Sequence, residues 1–109
     1  MEAQLEAEQT VRAGVECGTV DQAARRVLDR YGYGRYFTHS TGHGLGREIH
    51  ELPRIAPQQR MSLPEGAVVT IEPGVYIPGY GGVRIEDVVV VRKQGAELLT
   101  TTPKELTVL

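Results

Sequence analysis

The sequence of 109 residues predicts an α+β domain, in which two helices are followed by an antiparallel sheet. The N-terminal segment is rich in Glu, Ala, Gln and Leu, which favour helix. The rest of the chain carries β-branched segments separated by glycine and proline turns, as in hairpin-linked strands. Because helical and strand segments are segregated along the chain, an antiparallel sheet is favoured over alternating βαβ units. We therefore expect residues 1–109 to form a single domain.

Two helices are expected. Residues 2–16 have a thin apolar stripe, and this first helix should end near Gly14. Residues 20–31 form a stronger amphipathic helix, with apolar side chains three and four residues apart. Thr19 is its expected N-cap, since Gln22 completes the spacing of a capping box. Arg25 is expected to face water.

The strands are predicted from β-branched content and from turn residues. Residues 33–51 should be irregular to extended, and the segment after Pro53 should be a polar loop. The continuous Val88–Val91 segment is typical of a strand that is buried on both faces. The expected strands are 68–72 with an extension at 75–77, then 83–92, the longest, and finally 97–100.

The amino-acid composition limits the classes of partner and the cellular location that can be expected. The net charge is −2, from 12 basic and 14 acidic residues, and no segment carries like charges in series. Nucleic acid and membrane partners are therefore not expected. A single cysteine and a polar, acidic N-terminus fit a cytoplasmic protein. Hydrophobic residues at 40% and aromatic residues at 6% are few for a compact domain, so we expect another chain, or a missing part of this one, to cover part of the surface.

All three histidines lie in one glycine-rich segment, residues 38–51. The glycines around His43 are expected to allow backbone conformations that are closed to other residues. A glycine loop of this kind can also exist only because a turn requires it. His43 by itself is therefore weak evidence for function.

Two carboxylates downstream strengthen the case. Glu72 and Glu86 are equidistant from Gly79, which lies in the middle of a predicted turn. If the strands pair around Gly79, the two carboxylates face each other, and like charges in that position destabilise a sheet. A divalent cation between them would remove the conflict. A bulge at the glycines would shift this register by one residue.

Strand alternation places Arg84 on the same face as Glu86. Each glutamate alone is most simply a solvated residue at a strand end. Together with His43, however, they form a common ligand set for Mn, Co, Fe or Zn. His50 could then donate a proton or a hydrogen bond to a reacting carbonyl. The residues alone leave a metal site and a solvated polar face about equally supported.

Three motifs in order resemble the C-terminal half of the pita-bread metallopeptidases, a family that includes methionine aminopeptidase, aminopeptidase P and prolidase. They are His-Ser-Thr-Gly-His-Gly-Leu-Gly-Arg-Glu-Ile-His-Glu at 39–51, Thr-Ile-Glu-Pro-Gly-Val-Tyr-Ile-Pro-Gly at 70–79 and Gly-Gly-Val-Arg-Ile-Glu-Asp at 81–87. The sequences of these motifs are most similar to those of the Xaa-Pro branch, and the match covers almost the whole chain. The resemblance implies half of a pita-bread fold, with two helices on a curved antiparallel sheet.

The resemblance also implies roles for individual residues. His43 and Glu72 would bind one metal, and Glu86 would bridge two metals. His50 would stabilise the tetrahedral intermediate. His39 and Arg84 would lie near the substrate, and His39 would also be a catalytic residue. The implied cofactor is a divalent metal (Mn, Co or Zn). In this family a metal-bound hydroxide attacks the peptide bond before proline in an Xaa-Pro substrate.

One part of the family pattern is not matched. The family site uses two aspartates on strands upstream, and Asp21, Asp29 and Asp87 do not fit their positions. We therefore expect weak metal binding and no useful peptidase activity from this chain alone. A homodimer, or pairing with a separate N-terminal half, would complete the domain.

Two alternatives remain open. The chain could be a non-catalytic pita-bread-like binding module or a split-enzyme subunit, or it could be a mononuclear His/Glu/Glu metal protein. Metal content per chain would separate the last of these from the others.

Overall fold

The computed structural model describes residues 1–48 and 50–106. Ile49, which belongs to the predicted histidine segment, and residues 107–109 lie outside the described part. The elements in chain order are helices α1 (Glu2–Thr10) and α2 (Cys17–Arg30), a 3₁₀ turn (Gly34–Tyr36), and strands β1 (Gly42–Gly44), β2 (Glu51–Ile55), β3 (Val68–Ile71), β4 (Gly74–Ile77), β5 (Gly81–Arg84), β6 (Asp87–Val91) and β7 (Ala96–Leu98). The α+β class predicted from the sequence is confirmed.

The strands form an antiparallel sheet of five, in the order β2-β1-β3-β6-β7, and a separate hairpin of β4 and β5. Val69 and Ile71 of β3 and Val89 and Val91 of β6 are fully buried. They share one core with apolar side chains of both helices. Because side chains alternate along a strand, the intervening residues of β3 and β6 face away from the helices.

The first helix is shorter than the predicted 2–16. It ends at Thr10, and Val11 is already extended, with φ −68° and ψ 123°. The buried Val11 side chain completes the core. The Ala13 and Gly14 N–H groups donate to the carbonyls of Arg92 and Leu63, both at 2.9 Å. Tertiary hydrogen bonds thus replace the last helical turn that the composition favours.

The second helix begins at Cys17, three residues before the predicted start, and the Thr19 cap is wrong. Thr19 lies inside the helix, and Glu16 takes the N-cap position without a side-chain hydrogen bond. The first-turn amides find partners elsewhere, since the Cys17 N–H donates to the Met61 carbonyl at 2.9 Å and the Gly18 N–H to the Gln59 carbonyl at 2.8 Å. A neighbouring loop therefore satisfies donors that a capping side chain usually satisfies.

Four strand predictions are corrected. The expected irregular and loop regions contain the short strand β1 and strand β2, which pair with each other. Residues 75–77 do not extend β3; they belong to β4, whose partner is β5. The long strand expected at 83–92 is two strands, β5 and β6, interrupted at residues 85–86. The last strand is β7, at 96–98 instead of 97–100.

The hairpin register around Gly79 is confirmed. In the β4–β5 ladder Gly74 lies opposite Arg84, and in the β3–β6 ladder Ile71 lies opposite Asp87. Both ladders are centred on Gly79. Residues 72 and 86 are therefore opposite each other in the gap between the two ladders. No bulge shifts the pairing across this part of the sheet.

Among the described residues, neither helix is long and apolar enough to cross a membrane.

Candidate metal centre

The candidate residues gather on the sheet face away from the helices. Glu72 directly follows β3, and alternation places it on the same face as Thr70. Gly44 of β1 lies opposite Val69, so the neighbouring His43 reaches Thr70, whose Oγ1 accepts the His43 N–H at 3.1 Å. The pairing of β1 with β3 therefore brings His43 to Glu72, although the two are far apart in sequence.

The His43 ring has a defined orientation. Its Nδ1 donates to the Gly44 carbonyl at 2.9 Å, because a carbonyl can only accept. Nε2 is then left with a lone pair, and it lies 3.6 Å from Glu72 Oε2. Both side chains are only 15% exposed. A histidine held through one nitrogen, with the other directed at a carboxylate, is a usual arrangement for a metal ligand.

The two predicted carboxylates are in contact. Glu72 lies close enough to Glu86 to perturb it: the pKa of Glu86 is raised above its ordinary value by burial, then by the negative charge of Glu72. Arg84 opposes this shift, with its Nε 3.8 Å from Glu86 Oε2. The Glu86 side chain is 42% exposed, so solvent screens part of the repulsion.

His39 lies at the other side of the site. Its Nδ1 contacts the Ser40 carbonyl at 2.8 Å, and its Nε2 lies 2.9 Å from the Tyr76 hydroxyl. With Nδ1 as the donor, Nε2 accepts the Tyr76 proton. Tyr76 was not identified from the sequence, although it is the one side chain of β4 that carries a hydroxyl.

His50 and Arg84 complete the group. The ring of His50 meets that of His43 edge-on, with 4.5 Å between centroids. His50 and Arg84 are both largely exposed, so a ligand could reach them. All six predicted site residues therefore lie at one end of the sheet; their roles stay predictions.

A cleft of about 530 Å³ opens over this region. Its lining includes Arg54, which lies opposite His43 in the β1–β2 pair and which the sequence did not suggest. The residues that line it are His39, Ser40, His43, His50, Glu51, Leu52, Arg54, Glu72 and Arg84. A larger cleft, about 790 Å³, lies between α2 and residues 57–60 and contains no histidine.

The glycines beside His43 serve a different purpose from the one expected. Neither Gly42 nor Gly44 has a positive φ; within the described residues, positive φ occurs at glycines elsewhere, such as Gly79. A Cβ at Gly42 would overlap the Thr70 carbonyl oxygen, and one at Gly44 would overlap the Leu52 carbonyl. Glycine is needed here for close backbone approach between strands, not for conformational freedom.

The donor set suits a divalent ion in part. His43 offers an imidazole nitrogen, and Glu72 and Glu86 offer carboxylate oxygens whose mutual repulsion a cation would relieve. Across residues 1–48 and 50–106, however, no group of three or more such side chains is arranged closely enough to hold an ion. The described side chains therefore fit part of a metal shell.

Two helices on one face of an antiparallel sheet match the half of a pita-bread fold that the sequence predicted, and the candidate histidine and glutamates lie on the other face. A family model described as metallopeptidase family M24 matches residues 1–93. The chain belongs to this family.

Several relatives agree with this assignment. The chain is 48% identical over 106 residues to an Xaa-Pro dipeptidase of Pyrococcus horikoshii, covering 97% of this chain. It superposes with a TM-score of 0.96 and 49% identity on an Xaa-Pro dipeptidase from Bacillus anthracis, over 99% of this chain. For an X-Pro aminopeptidase from Thermotoga maritima the TM-score is 0.92, with 46% identity over 95%. The chain spans about 30% of the length of each of these proteins.

Proposed function

We propose that this chain is the C-terminal part of a metal-dependent peptidase that cleaves the peptide bond before proline. The observation that carries the proposal is the meeting of Glu72 and Glu86 beside Nε2 of His43. Two carboxylates in contact are unfavourable on a bare sheet and become favourable around a cation. The relatives named above supply the substrate class, since two are Xaa-Pro dipeptidases and one is an X-Pro aminopeptidase.

In this proposal His43, Glu72 and Glu86 hold the metal, which is Mn, Co or Zn. A bound divalent ion would supply Lewis acidity and an activated water. Glu86 would supply the second carboxylate of this set, and it lies beside both Glu72 and Arg84.

The other residues act on the peptide. His50 stands next to His43 and is exposed, so it can donate a hydrogen bond to the scissile carbonyl. His39 is oriented through both ring nitrogens and faces the cleft, where it would contact substrate. Arg84 lines the same cleft, and its side chain is half-exposed.

We further propose that the site is completed by a second polypeptide segment, either an N-terminal half or another copy of this chain. His43 and Glu72 line the cleft of about 530 Å³, in which His50 and Arg84 are exposed. Several large apolar side chains are also exposed, among them Leu52, Val83 and Tyr80, at 73%, 62% and 91%. Where exposed apolar side chains cluster, they often mark interaction surfaces. A cytoplasmic location fits the buried free thiol of Cys17.

A second candidate is a split-enzyme subunit or binding module without activity of its own. The absence of a closely arranged three-ligand group among the described residues favours it. In that case the same surface docks a partner, and any ion is held only in the assembly.

The decisive experiment is calorimetric titration of manganese into the chain, with the oligomeric state measured by sedimentation on the same sample. The variant is Glu86→Gln, and the matched control is Glu65→Gln, an exposed glutamate at a turn. Binding that the control keeps and Glu86→Gln loses supports the metal centre and justifies assays with Xaa-Pro dipeptides. No binding by the wild type, in any oligomeric state, overturns the proposal for this chain alone and leaves the second candidate.

A further inference from the structure

A buried carboxylate on α2 lies outside the proposed ligand set. Asp21 is 1% exposed. Its Oδ1 accepts two hydrogen bonds from Thr41, from the hydroxyl at 2.8 Å and from the N–H at 3.2 Å. Its Oδ2 lies 2.6 Å from Nε of Arg25, four residues along the helix. Both carboxylate oxygens of Asp21 therefore have partners within the protein, so Asp21 is not one of the candidate metal ligands.

Arg25 extends this contact to the chain before β1. Its two terminal nitrogens donate to the carbonyls of Phe37 at 3.1 Å and His39 at 2.8 Å. Its guanidinium also lies over the Phe37 ring, 4.1 Å from the centroid. The planar guanidinium has donors in fixed directions, so it holds the Asp21 carboxylate and both carbonyls in one geometry, whereas the donors of an ammonium group rotate freely. The prediction that Arg25 faces water is wrong, since its side chain is only 25% exposed.

The part of this segment from His39 to Thr41 touches the site at both ends. At one end is the His39 ring, with its hydrogen bond to Tyr76. At the other end the Thr41 carbonyl accepts the Glu72 N–H at 2.6 Å. One pair of side chains on α2 thus fixes the backbone that presents His39 and the backbone contact that places Glu72.

We propose that Asp21 and Arg25 are positioning residues of the site. They act by holding residues 37–41, so that His39 and Glu72 keep their places whether or not an ion is bound. An effect of Asp21 and Arg25 on catalysis rests on the proposed function, whereas their effect on the position of residues 37–41 does not. The competing explanation is that the pair only fastens α2 to the sheet and contributes general stability.

Amide hydrogen exchange on the metal-free chain separates the two explanations. The variants are Arg25→Gln and Asp21→Asn, and the matched control is Arg26→Gln, the exposed neighbour on the same helix. We expect the Thr41 and Glu72 amides to exchange at least about tenfold faster in both variants, while the core amide of Val89 keeps its wild-type rate. The ¹⁵N shifts of the His39 ring should change as its backbone is released, and Arg25→Lys should restore only part of the wild-type behaviour.

Equal acceleration at Thr41, Glu72 and Val89 would mean a general loss of stability and would overturn the inference. Unchanged rates at Thr41 and Glu72 would overturn it as well. Manganese titration of the same samples tests the proposed function separately. A wild type that binds no manganese but shows the local exchange effect rejects the metal centre and keeps the positioning role.

Discussion

Glu72 and Glu86 face each other where two β-ladders of one register meet. The β3–β6 ladder ends at Ile71 opposite Asp87, and the β4–β5 ladder begins at Gly74 opposite Arg84. The carboxyl groups meet in the gap between the ladders, and the pKa of Glu86 is raised by burial, then by the charge of Glu72. The sheet thus concentrates negative charge at one point of the face that the helices leave open.

Removing one of these charges should stabilise the metal-free chain. At pH 8 in the presence of a chelator, Glu72→Gln keeps a hydrogen-bonding side chain and removes the repulsion. We expect the free energy of unfolding to rise by up to about 1 kcal/mol, the usual range for cross-strand charge pairs. Urea unfolding measures it, with Glu65→Gln as the control. A clear loss of stability in Glu72→Gln would show that the pair is not repulsive.

Gly42 should not accept a side chain. In Gly42→Ala the new Cβ meets the Thr70 carbonyl, so β1 and β3 must separate. We expect a cost of about 1–3 kcal/mol, as for other overpacked sites, and a displaced His43 amide resonance. Gly95→Ala is the matched control, because nothing lies within 4 Å of its Cβ position. Similar costs for both variants in urea unfolding would argue against the close strand contact.

Stability should fall as the pH rises from about 4.5 to about 7 because of Glu8. Burial, followed by the hydrogen bond and charge of Asp87, raises the pKa of Glu8 to about 7 from a value of 4.5. The folded chain therefore keeps a proton that the unfolded chain releases. This contribution is complete below about pH 4.5 and is lost as the pH rises through about 7.

Unfolding in urea from pH 5 to pH 8 tests this dependence. Glu8→Gln should flatten the profile and be more stable than the wild type at pH 8. Glu6→Gln, an exposed position on the same helix, should leave the profile unchanged. A wild-type profile with the opposite slope across this interval, unchanged by Glu8→Gln, would contradict the assignment.

Lys104 should matter more than its place near the end of the chain suggests. Its Nζ lies 2.6 Å from Oδ1 of Asp87, whose side chain is 2% exposed. Lys104→Met leaves that carboxylate without its cation, at a cost of about 2–3 kcal/mol. This cost is smaller than that of breaking a fully buried ion pair, because the Lys104 side chain is 20% exposed. Lys93→Met is the exposed control, and the cost of Lys104→Met should shrink in an Asp87→Asn background.

The sequence predicted more of the candidate site residues than of the residues that hold them in position. Symmetry about Gly79 placed Glu72 opposite Glu86, because a tight hairpin fixes its own register. A signal for Asp21 was also present: it lies on the apolar face of α2 with Cys17, Val20 and Ala24, and Arg25 follows at the spacing of an ion pair. Nothing local, however, identifies its partner Thr41, because that contact depends on how the helix sits on the sheet.

What the sequence by itself determined is therefore local: the α+β class, the amphipathic α2 and the hairpin register, together with the choice of the histidine and glutamates as candidates for the site. Tertiary structure decided the end of α1, the start of α2, strand β2, and the break between β5 and β6. Each of these depends on hydrogen bonds between residues distant in the chain, such as Ala13 to Arg92 and Cys17 to Met61. A buried backbone amide must find a partner, and only the packed fold determines which partner is within reach.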